Sequence, residues 1–309
     1  METLKDISII FTSIFFESLP FLILGAVISS IIETYVSNET MAKIIPKNKV
    51  LGSIVGIFLG FLLPACDCAV IPVSKRLLKK KVPINVAVSF MLASPIINPV
   101  VLLSTYYAFY NKNPEIFWFR LLFGIVIALI IGIIVGIAFK DKHIIKNELL
   151  DEDEEDHCCC DCDHDHHEHH HKHTLKNDFY SIVKHTANDL FEVVKYLMLG
   201  ALLASIIQVM LPRNVLMVFN DNQVLSIIAL MLFAYLISLC STSDSFIGKS
   251  LLSSFSKGSI MAYLLLGPMI DVKNTFVLLG NYKKNFVITL ISLIFIVTFI
   301  CSWIVVMFI

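Results

Sequence analysis

Eight runs of roughly 20 apolar residues, separated by short polar segments, leave this 309-residue chain few folds to choose from. A run of that length matches the roughly 30 Å hydrocarbon core of a bilayer. Inside that core every backbone N–H and C=O must find its partner within the protein, and a helix meets the demand locally. The expected fold is therefore all-α and polytopic, with helices over 7–32, 50–73, 84–108, 116–139, 189–211, 224–247, 258–280 and 285–308. The mean hydropathy of +0.79 and 57% hydrophobic residues are too apolar for a soluble globular protein of this size. The net charge is −1 and the basic residues are spread over loops with no basic face, so no nucleic acid is expected as a partner. METLKD has one lysine and no small-residue cleavage site follows the first apolar run, so that run reads as a retained helix.

The longest hydrophilic segment, 140–188, separates a first membrane repeat (1–139) from a second (189–309), four helices in each. The two repeats echo one another. FFESLPFLILGAVISSIIE (15–33) aligns with LFEVVKYLMLGALLASIIQ (190–208), pairing Glu17 with Glu192 and Gly25 with Gly200. Cys66 falls opposite Cys240, Pro95 opposite Pro268, and Asn98 opposite Asp271. Duplicated halves interrupted by Pro and Gly at matching places point to a transporter whose site lies between the halves. Four spans per half would make the repeats parallel, whereas a re-entrant segment near Pro64 or Pro95 would leave an odd number and invert them. With four, the positive-inside rule puts the cluster Lys75, Arg76, Lys79, Lys80 and Lys81 in the cytoplasm with both termini and the linker, although Lys43, Lys47 and Lys49 count against it. Small residues at four-residue spacing (Gly52/Gly56/Gly60 and Gly124/Ala128/Gly132/Gly136) allow close helix packing or a sliding interface.

The candidate chemistry gathers at PACDCAVIP (64–72), where Cys66, Asp67 and Cys68 lie between two prolines at the end of an apolar run. A broken, charged segment at membrane depth is tolerated where it lines a cavity or the protein interior. Two thiolates select soft or borderline cations such as Cu(I), Zn(II) or trivalent arsenic, and a carboxylate compensates charge or carries protons. The same C-x-C pair could cycle between dithiol and disulfide, or the cysteines could simply pack. In the second half Cys240 is followed by Ser241, Thr242, Ser243 and Asp244, four polar residues that cannot all face lipid. Ser94-Pro95 with Asn98-Pro99, and Gly267-Pro268 with Asp271, read as a second pair of helix breaks with free carbonyls. Glu17 is a candidate proton relay, and Glu192 a structural partner of Lys195.

Within the linker, residues 151–173 hold eight His and four Cys among many acids. His157, Cys158, Cys159, Cys160, Cys162, His164, His166, His167, His169, His170, His171 and His173 lack zinc-finger spacing. The expectation is a largely disordered tract that binds zinc, nickel or copper loosely and needs no fixed cofactor. GKS at 248–250 lacks the glycine and the strand-to-helix context of a phosphate loop, so ATP does not drive this chain alone.

CDCAVIPVSKRLLKKKVPINVAVSFMLASPIINPVVLLSTYYAF and CSTSDSFIGKSLLSSFSKGSIMAYLLLGPMIDVKNTFVLL together resemble the bacterial predicted-permease family of YraQ/ArsP type. The resemblance covers both halves outside 140–188 and implies a permease of the bacterial inner membrane. Members resembling this chain are linked to efflux of trivalent organoarsenicals through membrane cysteines, and relatives with Cys/His-rich inserts to copper or zinc export. By motif position it implies roles for Cys66, Cys68, Asn98, Cys240, Asp244 and Asp271. The expectation is a secondary permease, not an enzyme, that exports a soft metal ion or metalloid. Cys66, Cys68 and Cys240 would bind the cargo, and Asp67, Asp244 and Asp271 would balance charge or carry protons. Expected partners are the bilayer, the small inorganic or organometalloid substrate, and a second copy or an accessory membrane protein. Competing readings are a thiol–disulfide enzyme using Cys66/Cys68 and a metal-responsive membrane scaffold.

Overall fold

The computed structural model describes residues 2–35, 46, 48–63, 66–110, 113–139, 144–145, 175–210 and 222–308, without the side chains of 2, 32–35, 175–185, 188–189 and 192. The tract 157–173 and the Glu192 side chain lie outside the described residues. The helices are α1 (Glu2–Tyr35), α2 (Lys49–Leu62), α3 (Asp67–Lys79), α4 (Ile84–Ile97), α5 (Pro99–Phe109) and α6 (Glu115–Ala138) in the first half. The second half holds α7 (Leu175–Met210), α8 (Gln223–Ile237), α9 (Ser241–Leu251), α10 (Lys257–Met269), α11 (Val272–Asn281) and α12 (Lys284–Phe308). The all-helical, polytopic fold expected from the sequence is what is found.

Among the described residues six stretches are long and apolar enough to cross a membrane: α1, α4 with α5, α6, the end of α7, α10 with α11, and α12. The expected helices 50–73 and 224–247 do not continue straight. Each is two short helices that reverse direction, as the pairing of neighbours shows. Gly52 packs on Asn85, Gly56 on Ser89 and Gly60 on Ser94, so α2 and α4 run parallel. The helix between them, α3, must then run the opposite way. In the second half Ser226 meets Ser259 and Ala234 faces Gly267, so α8 is parallel to α10 and α9 returns between them. At about 1.5 Å per residue the 14-residue α2 is some 21 Å long, short of the roughly 30 Å core. Both hairpin tips therefore lie at membrane depth.

The reversals have local causes. Leu63 leaves the helical region (φ −93°, ψ 109°) just before Pro64, and a proline disfavours helix for the residue ahead of it. Ser238 ends α8 in the left-handed region (φ 52°, ψ 50°), a conformation strained for any residue but glycine. The α4–α5 and α10–α11 breaks carry capped N-termini. Asn98 Oδ1 accepts from Val101 N at 2.9 Å, and Asp271 Oδ1 accepts from Asn274 N at 2.6 Å.

Each half thus makes three crossings and one re-entrant hairpin, an odd number, so the repeats are inverted. The remaining directions agree. Gly25 meets Ala69 and Ser29 Oγ donates to the Pro72 carbonyl, so α1 is parallel to α3. Gly124 packs on Ile96 and Gly136 on Asn85, so α6 is antiparallel to α4. Gly200 packs on Lys273 and Gly280 on Tyr196, so α7 is antiparallel to α11. The start of α1 and the end of α12 consequently share one face of the protein, face A. The end of α6, the start of α7 and residues 144–145, which pair with Tyr282 and Lys283, share the other, face B. The expectation that both termini and the linker lie together in the cytoplasm fails, because an odd number of crossings separates them.

The small-residue stripes serve close packing. A Cβ added at Gly56 would fall on the Val86 carbonyl and 3.2 Å from Phe90 N, both backbone atoms that cannot swing aside. Gly56→Ala is expected to destabilise the protein by about 1–3 kcal/mol, read as a lower unfolding temperature in detergent.

Candidate substrate site at the junction of the two halves

The two hairpins enter from opposite faces and meet tip to tip. Cys66 begins α3 and Cys240 begins α9 as N-caps at repeat-equivalent positions, and neither uses its side chain as a cap. The Ser241 hydroxyl donates to Asp67 Oδ1 at 3.0 Å, tying one tip to the other. The breaks before α5 and α11 lie beside the tips: Cys68 Sγ is 3.6 Å from Asn274 Oδ1, and Ser104 Oγ donates to the Thr242 carbonyl at 2.8 Å. Four helix N-termini (α3, α5, α9 and α11) therefore converge on one region, each the positive end of its helix dipole.

A cavity of about 20 Å³ sits there, lined by Glu17, Cys66, Asp67, Cys68, Cys240 and Lys273, together with Ile14, Ser18, Phe21 and Ser238. That is room for about one ordered water. Beside it a larger cavity of about 300 Å³ opens between α1, α5 and α9, with Glu17, Cys66, Asn98, Cys240, Ser241 and Thr242 in its walls. Cys66 and Cys68 both line the small cavity, and Cys240 Sγ lies 3.3 Å from Thr242 Oγ1. All three are free thiols, as is Cys301 on α12.

The sequence reading did not single out the cation that completes this site. Lys273 follows the Pro268–Asp271 break and reaches into the small cavity, with Nζ 3.4 Å from Asp271 Oδ2. Both partners are nearly inaccessible, at 7% and 1% side-chain exposure. Ser238 Oγ, held by the left-handed turn, accepts from Lys273 N at 3.4 Å. A lysine two residues after an intramembrane aspartate was the available signal, since an ionisable group at membrane depth is paired or functional.

Of the expected site residues, the structure brings Cys66, Asp67, Cys68, Cys240 and Glu17 to one cavity and Asn98 to its neighbour. Asp271 pairs with Lys273 and caps α11. Asp244 stands apart, one turn further along α9, with Tyr263 donating to its Oδ1 at 3.0 Å. Among the described residues no group of three or more His, Cys, Asp or Glu side chains is arranged to hold a metal ion. The thiols are neighbours around a cavity, not a closed cage.

Comparison with known proteins accords with this architecture. No solved structure matches the chain. UPF0718 protein YcgR of Bacillus subtilis (strain 168) is 41% identical over 288 residues, covering 93% of this chain and 92% of its own length. A Streptococcus mutans serotype c protein, described as a two-component membrane permease complex subunit, is 36% identical over 283 residues, covering 92% of this chain and 89% of its own. The model of the predicted-permease family ArsP_1 matches residues 3–307. Nearly the whole chain, hairpins and crossings included, falls under that one description, and it belongs to the predicted-permease family ArsP_1.

Proposed function

We propose that this membrane permease is a secondary exporter of a soft, thiol-reactive species, bound at the hairpin junction by Cys66 and Cys68 with Cys240 opposite. The observation that carries the reading is the meeting of three free thiols from two inverted hairpins in one cavity at membrane depth. The electrostatics narrow the class. Four helix N-termini and the Lys273 ammonium face the cavity together with the Glu17 and Asp67 carboxylates, a balance of charge that suits a neutral soft species. Within the soft metal and metalloid class of zinc, copper and trivalent arsenic, trivalent arsenic fits best, because its hydroxide and its organic derivatives are neutral and bind two or three thiolates. Uptake into inside-out vesicles, screened across Zn²⁺, Cu⁺, Ni²⁺, arsenite and phenylarsine oxide, tests this. Accumulation of the arsenic species above that of the cations supports it, and flux of none, or of the cations alone, removes it.

Export fixes a direction, and the basic residues supply one. The face B loops and helix ends carry Lys43, Lys47, Lys49, the Lys75–Lys81 cluster, Lys140, Lys142, Lys146, Lys283 and Lys284. Those of face A carry Lys5, Lys112, Arg213, Lys249 and Lys257. With inverted repeats Lys43, Lys47 and Lys49 join the majority, and face B is cytoplasmic. The Cys/His tract then lies on the cytoplasmic side, where it would collect zinc, nickel or copper loosely, and both termini lie outside. Alkaline phosphatase fused after Ile309 is expected to be active, and a fluorescent protein inserted in 146–174 to fluoresce. The reverse pattern would overturn this orientation.

The two-component description of the Streptococcus mutans relative extends the partner expectation: an accessory membrane subunit is proposed beside the bilayer and the substrate. Co-purification of a second membrane protein from the native host in mild detergent tests it.

A further inference from the structure

The aspartate left out of the thiol cavity belongs to a second buried cluster. Arg120 of α6 is fully buried, and its Nη1 donates to Thr105 Oγ1 of α5 at 2.7 Å and to Ser245 Oγ of α9 at 2.8 Å. Its Nε and Nη2 have no partner, nor does Asp244 Oδ2. The two groups feel one another electrostatically, yet no ion pair closes between them. At the thiol cavity another buried cation and carboxylate, Lys273 and Asp271, are closed at 3.4 Å. The pair within the second half is closed, whereas Asp244 of the second half and Arg120 of the first stay open to one another. A carboxyl with one hydrogen bond received and one oxygen unpartnered, beside a guanidinium with unused N–H groups, leaves on both sides the capacity to close into a pair.

The position of the cluster gives the pattern a use. At the start of α9, Ser241 and Thr242 line the substrate-side cavity. At its far end, on face A, Lys249, Leu252 and Ser253 line another cavity of about 340 Å³ with Ala108, Phe109 and Asn113. Asp244, Ser245, Thr105 and Arg120 fill the seam between them. The charged and titratable groups acting on Asp244 are Arg120 from α6, Tyr263 from α10, Asp67 from α3 and Asp271 at the α10–α11 break.

We propose that Asp244 is the coupling-ion site of the permease, taking a proton from the face A cavity, with Arg120 as the partner it holds when ionised. Ionised, Asp244 closes on Nε and Nη2 of Arg120 and locks α5, α6 and α9 across the substrate's exit. Protonated, it releases Arg120 and the seam toward face A can part. The proton taken from face A is given up toward face B when the pair closes again. The drive toward face A rests on the export reading above, whereas the proton site does not.

The test uses the full chain reconstituted in lipid. Infrared difference spectra between acid and alkaline pH, with no substrate present, are expected to show a protonated-carboxyl band that disappears at alkaline pH. Asp244→Asn should remove this band, while Asp271→Asn and Arg120→Lys keep it. A band that survives Asp244→Asn, or no titrating band, overturns the proposal. In proteoliposomes loaded with phenylarsine oxide, a proton gradient directed from face A to face B should accelerate flux at least about tenfold. Asp244→Asn should lose the acceleration and Asp244→Glu retain part of it. Equal acceleration in Asp244→Asn overturns the proposal. A titrating Asp244 band without any phenylarsine oxide flux supports the proton site and removes the substrate reading.

Discussion

A sensitive host that depends on this chain for resistance to phenylarsine oxide is expected to become fully sensitive when Cys66 and Cys68 are both replaced by serine. Serine keeps the size of the side chain and is a better helix N-cap than cysteine, so the start of α3 should persist. The change is chemical: a hydroxyl does not replace a thiolate as a soft ligand. Changes to groups merely supporting a ligand typically cost roughly 10–100-fold in affinity. Removal of both first-half thiols should therefore cost at least about 100-fold in flux at low substrate. Cys240→Ser alone should cost less, since it leaves the C-x-C pair intact. Immunoblotting of membrane fractions separates lost transport from lost protein. Unchanged resistance with normal protein levels would mean that the thiols pack and do not bind. A redox enzyme would show another result, a reversible Cys66–Cys68 disulfide under controlled redox poise with no flux at all.

The largest effect on stability is expected at Lys273. Its ammonium lies between Asp271 and the cavity wall formed by Asp67, Cys66 and Cys68, with almost no access to water. Lys273→Met fills a similar volume but strands two buried carboxylates. Breaking a buried pair by removing one partner costs about 3–5 kcal/mol. The variant should therefore unfold far below the wild type when followed by size-exclusion chromatography after heating in detergent. Lys273→Met with Asp271→Asn should recover part of the loss, because only Asp67, which keeps its hydrogen bond from Ser241, is then left without the cation. If the single variant is as stable as wild type, Lys273 is not the counter-charge of this site.

How much of this was legible before the structure depends on the residue. The repeat was legible in detail, because Cys66 and Cys240 cap equivalent helices and Asn98 and Asp271 cap the two breaks. The hairpins were not. A 24-residue apolar run reads the same in hydropathy whether it crosses the bilayer or turns back, since both forms bury it among apolar neighbours. The clues lay in Lys43, Lys47 and Lys49, whose charge contradicted an even count of spans. The thiol cavity was readable from the C-x-C and its partner cysteine. Asp244 carries the same aspartate signal, yet its side chain faces Arg120 and Tyr263, which no local pattern around residue 244 reveals. Arg120 itself stood in plain view as the one basic residue within the run 116–139.

In the proposed mechanism one cavity between the inverted hairpins holds the transported species against Cys66, Cys68 and Cys240. Alkylation of the purified protein in nanodiscs by a small maleimide, with phenylarsine oxide present or absent and each cysteine followed by mass spectrometry, tests it most directly. The compound is expected to protect Cys66, Cys68 and Cys240 together over one concentration range, while Cys301, buried on α12 and absent from the cavity, reacts at an unchanged rate. Protection of none of the three, or of Cys301 equally with them, would contradict it.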